Sequence, residues 1–293
     1  MTSFKMMTFN IKGAFFHDGA NDWAYRVPLN LALIRRCAPD LIGFQEVQTR
    51  NLETYRQELT EYAYALGPET ARENSTGHGY FNAIYWNPAR FELLAQGSFF
   101  LSRTPEVYSR DWGTSEVRGV NWVRLRDRDS GQGFLHLNSH FPHDAEDARQ
   151  QSVGVIAQQL ADWRGDVPAL LTADFNARAR DAVAVTLEDL PDDLRAWAAR
   201  GSIPPAGVVH ALLRQQGFRD AFDETGHRDA PPINTYHHFL GQTFPPLGYR
   251  IDWILLLDGA QRWQARSCDI LTDAEPPLYP SDHYPVLAEV ALE

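Results

Sequence analysis

The chain has 293 residues, a formal net charge of −11 at pH 7 and 44% hydrophobic residues, among them eight Trp and 16 Phe. That is enough apolar material for one compact unit with a sizeable core, no run is apolar long enough to span a membrane, and the acidic balance argues against a duplex-binding protein with a broad basic face. Two cysteines, Cys37 and Cys268, supply neither a disulfide framework nor zinc spacing, and the N-terminus lacks a basic and apolar leader pattern, so a cytoplasmic location is expected.

In chain order, strand-like and helix-like segments alternate. Lys5 to Ile11 predicts a buried strand with Asn10 near its end. Asp22 to Cys37 has helical periodicity through Leu29, Leu33 and Cys37, stopped by Pro39. Asp40 to Val47 predicts a second apolar strand, with Gln45 and Glu46 at its far end, and Thr49 to Thr60 a polar helix. Asn82 to Trp86, Phe91 to Leu94, Val120 to Arg126 and Phe134 to Ser139 are short β-type runs. Gln150 to Trp163 repeats apolar residues at helical spacing, and Ala169 to Thr172 leads into Ala173-Asp174-Phe175-Asn176. Asp181 to Gly217 predicts a helical excursion broken by prolines, an elaboration of a single domain over 1–293. Arg250 to Leu257, Trp263 to Leu271 and Val286 to Leu292 complete the strands.

One regularity organises these segments. Asn10, Glu46, His140, Asp174 with Asn176, Asp252, and Asp282 with His283 all stand at or near ends of predicted buried strands. A polar group there is costly unless it is paired or ligates something. Each also has a bland reading: Asn10 as a turn cap, Glu46 as a solvated strand end, Asp174-Phe175-Asn176 as an Asx turn. Together, carboxylates, amides and histidines without a Cys cluster fit a hard, oxygen-seeking cation such as Mg²⁺ or Mn²⁺.

The series Thr8-Phe9-Asn10-Ile11, Gly43-Phe44-Gln45-Glu46-Val47, Asn138-Ser139-His140-Phe141, Ala173-Asp174-Phe175-Asn176-Ala177, Arg250-Ile251-Asp252-Trp253-Ile254 and Ser281-Asp282-His283-Tyr284-Pro285-Val286 resembles the endonuclease/exonuclease/phosphatase superfamily, with its DNase I-like fold. Phe99 to Pro105 and Thr235-Tyr236-His237-His238-Phe239 are similar to a bacterial branch loosely related to the poly(A) deadenylases. The resemblance implies an α/β four-layer α/β/β/α sandwich of two mixed β-sheets, with a metal site at one edge.

It also implies hydrolysis of a phosphoester by an in-line water. On the matching positions, Glu46 is expected as principal metal ligand, with Asn10 and Asp282 beside it. Asp174 is expected to position or deprotonate the water, and Asn176 to donate to phosphoryl oxygens. Asp252 would orient and charge His283, and His140 would protonate the leaving oxygen or bind the phosphate. Arg118, Arg149 and His237 are candidate substrate contacts; for the two arginines a surface salt bridge is the competing reading. The expected activity is a divalent-metal-dependent phosphodiesterase on single-stranded nucleic acid or a nucleotide. The alternatives are a phosphatase for a small phosphoester, such as a sugar or inositol phosphate, and an inactive binding protein of the same fold. The chain departs from the family's pattern at Ala173, Ser139, Pro142 and His238, differences that bear on substrate more than on chemistry.

Overall fold

A computed structural model describes residues 3–71, 78–180, 205–227 and 233–293, with positions 188, 190, 192, 194 and 195. The predicted excursion from Asp181 lies outside the described residues as far as 204, apart from those positions.

Two six-stranded mixed sheets form the body. The first comprises β1 (Ser3–Asn10), β2 (Leu41–Val47), β3 (Ala63–Leu66), β4 (Phe81–Trp86), β11 (Trp263–Ile270) and β12 (Val286–Leu292), in the order β11-β12-β1-β2-β4-β3. The second comprises β5 (Phe91–Phe100), β6 (Gly119–Asp127), β7 (Gly133–His140), β8 (Ala169–Asp174), β9 (Arg219–Asp220) and β10 (Asp252–Leu257), in the order β5-β6-β7-β8-β10-β9. Each sheet has one parallel pair at its centre, β1 with β2 and β7 with β8, flanked by antiparallel neighbours. The helices α1 (Trp23–Cys37) and α2 (Thr49–Glu58) lie against the first sheet, and α3 (Glu146–Trp163) and α4 (Val208–Gln215) against the second.

Three apolar layers follow from the strand patterns. Fully buried strands present apolar side chains to both faces. On β1, Phe4 and Met6 face the other sheet, whereas Met7 and Phe9 face α1 and α2. On β10, Ile254 and Leu256 face inward and Trp253 and Leu255 pack under α3 and α4. The observed layers are those of the DNase I-like α/β sandwich.

Near one end, the interface between the sheets is polar. Gly43 makes room, because a Cβ there would lie 2.1 Å from Thr172 Oγ1 and 2.7 Å from Asn138 Oδ1. Asn138 uses its amide to donate to the carbonyls of Phe44 (2.8 Å) and Ala83 (3.1 Å) and accepts from Gln45 Nε2 (2.7 Å) and Thr172 Oγ1 (3.0 Å). The β2–β4 pairing slips between Phe44 and Val47. A bulge of this kind turns a side chain out of the alternation, and the residue it re-aims is Glu46.

The prediction differs at the sheet edges. β5 runs on to Phe100, past the predicted end at Leu94, because its second half, with Gln96, Gly97 and Ser98, has no apolar alternation to read. The short edge strands β3 and β9 carry no pattern of their own. Helix α3 begins at Glu146, where Glu146 and Asp147 suit the positive end of the helix dipole.

Candidate active site

The strand directions bring the polar residues to one edge. β1, β2, β7 and β8 all end there, whereas β10 and β12 start there, since each runs antiparallel to its neighbour. Register then sets the neighbours: Asp174 pairs with both His140 and Asp252 across β8. Phe175, between Phe141 (ring centroids 4.9 Å) and Trp253 (4.2 Å), ties these strand ends together from behind.

Asn10 is the link between the sheets. Its Nδ2 donates to Glu46 Oε1 (3.1 Å) and to Asp174 Oδ2 (2.9 Å). Glu46 also accepts from the Gly13 amide (3.3 Å), is half-buried, and makes no ion pair among the described residues. Asp174 Oδ1 accepts from the Asn176 amide (2.9 Å), an Asx turn that holds Asn176 at φ 46. Of seven described non-glycine residues at positive φ, Lys12, Glu46, Asn176, His238 and Phe239 border this edge. Backbone strain is thus concentrated where the polar groups converge.

His283 Nδ1 faces Asp252 Oδ2 at 2.9 Å, and its Nε2 points towards Asp174 Oδ2 at 3.8 Å. Burial alone would lower the pKa of this imidazole. The charge of Asp252 and its hydrogen bond, helped by Asp174 and Asp282, reverse that and raise it to about 10. Asp174 moves up to about 7, driven by burial and by the Asp252 charge against the pull of His283. Thr235 Oγ1 accepts from the Ile251 and Asp252 amides, and Tyr236 bridges to His283, so the Thr235–Phe239 motif braces the pair.

His140 is held in a different state. Burial, then Arg118 and His283, push its pKa well below the usual histidine value. Arg118 Nη1 lies 3.2 Å from His140 Nδ1 and Asn176 Nδ2 lies 2.9 Å from its Nε2, so a donor group stands against each ring nitrogen. Its Nε2 also lies 3.4 Å from Asp174 Oδ2. Arg118 also pairs with Glu116, which reaches His143 at 3.1 Å.

Two expected substrate contacts stand elsewhere. Arg149 is fully buried and donates to Glu146 and to the carbonyls of Pro142 and His143, both at 2.9 Å, so it braces the loop after β7 and is not brought to the cluster. The salt bridge read from sequence is present, to Glu146 at 2.8 Å, but the guanidinium that makes it is buried and not at the surface. His237 is also fully buried, stacked on Tyr284 at 3.9 Å behind Asp282, with its pKa lowered to about 3 chiefly by burial.

Two residues at this edge have no place among the expected site residues. Lys12, at φ 53, brings its Nζ to 3.3 Å from Asp282 Oδ2. Burial opposes that ammonium, but Asp282, Glu46 and Asp18 more than offset it, so its pKa lies above the ordinary lysine value. Arg26 of α1 is fully buried and donates to the carbonyls of Asn21, Ile11, Pro280 and Lys12. It clamps the loop after β1 to the loop before β12. Arg26→Met is expected to cost about 3 kcal/mol of stability, since several carbonyls lose their donor in a buried place; a shift of the urea midpoint checks it, and an unchanged midpoint would contradict the clamp.

Oxygen donors dominate this edge, which suits a hard divalent cation. Among the described residues, two groups of His and acidic side chains are close enough to hold an ion: Asp174, Asp252 and His283, and His210, Asp220 and Asp223. The second group already carries guanidinium charge, from Arg250 on Asp220 (2.7 Å) and Arg180 on Asp223 (3.0 Å). In the first, Asp252 holds a charged His283. Glu46 makes no ion pair among the described residues, and a bulged backbone aims it at this edge.

A model described as the Endonuclease/Exonuclease/phosphatase family matches residues 7–283, and the chain belongs to that family. Its members are hydrolases acting on phosphoesters. The fold is similar to that of a mannosyl-6-phosphatase from Bacteroides thetaiotaomicron, with 23% identity and TM-score 0.77 over 99% of this chain and 100% of that one. It is similar to the human Nocturnin catalytic domain with bound sulfate, with 17% identity and TM-score 0.68 over 99% and 94%. It is also similar to D. rerio TDP2 complexed with a single-strand DNA product, with 16% identity and TM-score 0.68 over 99% and 100%. Comparison with curated proteins gives no match. No helix among the described residues is long and apolar enough to cross a membrane.

Proposed function

We propose that the protein is a divalent-metal-dependent phosphodiesterase acting on single-stranded nucleic acid or a nucleotide. The observation that carries this reading is the bridge from Asn10 to Glu46 and Asp174, two hydrogen bonds from one amide that tie the carboxylate read as cation holder to the buried carboxylate read as base. Glu46, with Asn10 beside it, would hold Mg²⁺ or Mn²⁺, which neutralises charge on the phosphoryl oxygens.

The chain's own groups then divide the work. Asp174, with a pKa near neutrality, takes the proton of the attacking water. His283, charged by Asp252, meets the negative charge that grows on the phosphoryl oxygens. Neutral His140, braced by Arg118 and Asn176, helps to bind the phosphate, and the leaving oxygen takes its proton from solvent water. Around the mouth, Phe15 stacks on His78 (3.5 Å), Arg50 lies 4.8 Å over Phe15, and Phe16 is 40% exposed. Such rings and guanidinium planes stack on bases, which favours a nucleotide substrate.

The similarity to a mannosyl-6-phosphatase along the full chain supports a second reading, a phosphatase for a sugar phosphate. A substrate panel separates the two: single-stranded DNA and RNA, dinucleotides, nucleoside monophosphates and hexose phosphates, each with Mn²⁺ or with EDTA. Turnover of the diesters with Mn²⁺ is expected, together with a loss of about 10² in kcat in Glu46→Gln, the scale of one preorganised transition-state contact. Turnover of monoesters alone would favour the phosphatase, and activity unaffected by EDTA or by Glu46→Gln would overturn the metal assignment.

A further inference from the structure

We propose that Lys12 takes the place of a second divalent cation at this edge: its ammonium is the standing counter-ion of Asp282, so the centre holds one metal ion, at Glu46, and Asp282 is not among its ligands. This deepens the reading of Glu46 as the cation holder and rests on it for the identity of that one site.

The first argument is geometric. Asp282 has a side chain only 4% exposed, and a buried carboxylate is tolerated only when paired. Lys12 Nζ, 3.3 Å away with its side chain 22% exposed, is that partner. Its backbone is fixed on both sides, the amide donating to Asn10 Oδ1 (3.1 Å) and the carbonyl accepting from Arg26 Nη2 (2.9 Å), while the ammonium rests 4.5 Å over the Phe16 ring. This is a positioned charge and not a mobile surface lysine.

The second argument is the pairing of charges. Four acids converge here, Glu46, Asp174, Asp252 and Asp282. Asp252 is matched by His283 at 2.9 Å and Asp282 by Lys12. The nearby guanidinium of Arg118 is held by Glu116. Glu46 is left to one dication, and Asp174, beside the charged His283, to the attacking water. Residue type agrees: of 27 Lys and Arg only Lys5 and Lys12 are lysine, and a compact ammonium is the side-chain charge closest in shape to a point cation.

The test is a Mn²⁺ titration of the full chain followed by electron paramagnetic resonance. Lys12→Met uncovers Asp282 and is expected to bind one Mn²⁺ more per chain than wild type, as is the polar Lys12→Gln. Adding Asp282→Asn to either should restore the wild-type number. Asp282→Asn alone, which leaves Lys12 in place, should keep that number, and it decides the matter should the Lys12 variants not fold. An unchanged number in folded Lys12→Met, or loss of a Mn²⁺ in Asp282→Asn, would overturn the proposal. Glu46→Gln reports separately: if it keeps the wild-type number, the Glu46 site fails, whereas the gain in Lys12→Met speaks only to Lys12.

Discussion

Asp252→Asn is expected to lower kcat by about 10³ to 10⁴, the scale on which a histidine loses its orienting carboxylate. The 2.9 Å contact to Nδ1 does two things: it turns Nε2 towards Asp174, and its negative charge keeps the ring protonated against the effect of burial. Asparagine can retain a hydrogen bond but not the charge, so the pKa of His283 should fall from about 10. The sign is fixed by the role: the reaction uses the imidazolium, so a lower pKa means the proton leaves at lower pH, and the alkaline limb of the rate profile moves towards neutrality. His283→Ala should be at least as damaging. The double variant should be little worse than the worse single one, because the two act as a unit. Titration of His283 by NMR in wild type and Asp252→Asn checks the coupling directly, and an unshifted pKa would mean that the charge does not reach the ring.

Much of the fold was legible because buried strands leave a strong signal. β1, β2, β8, β10 and β12 are near-continuous apolar runs, and polar residues at their ends stand out against them. That contrast made Asn10, Glu46, Asp174 and Asp252 visible, and their convergence follows from strand order and direction, which the six motifs implied through family resemblance. Residues whose value lies in backbone contacts gave no such signal. Arg26 sits in a helix where a charged residue reads as solvated, yet it is fully buried because loop carbonyls from both ends of the chain need its donors. Arg149 shows the converse case, since an arginine after a histidine motif looks like a phosphate clamp, whereas here it pairs with Glu146 and holds up its own loop. Lys12 offered one faint cue, a rare lysine two positions past Asn10 in an arginine-rich chain. The β2 bulge at Glu46 was not readable, because a one-residue slip depends on the partner strand.

Asp174→Asn is expected to lower kcat by about 10³ with little change in KM, since a base acts in the transition state and not in substrate binding. Three features make Asp174 suited to that role. Asn10 and the Asn176 amide hold its two oxygens in place at 2.9 Å each, it is buried, and that burial, with the Asp252 charge nearby, raises its pKa to about 7. A base must be ionised to act, so raising the pH through about 7 switches it on and sets the acid limb of the profile. Asparagine fills the same space but has no lone-pair base, and that limb should vanish with the activity. Asn176 is separable from it. Its Nδ2 donates to the Phe141 carbonyl at 3.0 Å and packs 2.9 Å from His140 Nε2, so Asn176→Ala loosens His140 and should lower kcat by about 10². Alanine is also poor at φ 46, and the same variant should lose about 1–2 kcal/mol of stability. Asn176→Gly avoids that backbone penalty and should recover stability without recovering kcat. Recovery of both would reduce Asn176 to a turn residue, and a change confined to KM in Asp174→Asn would remove Asp174 from the chemistry.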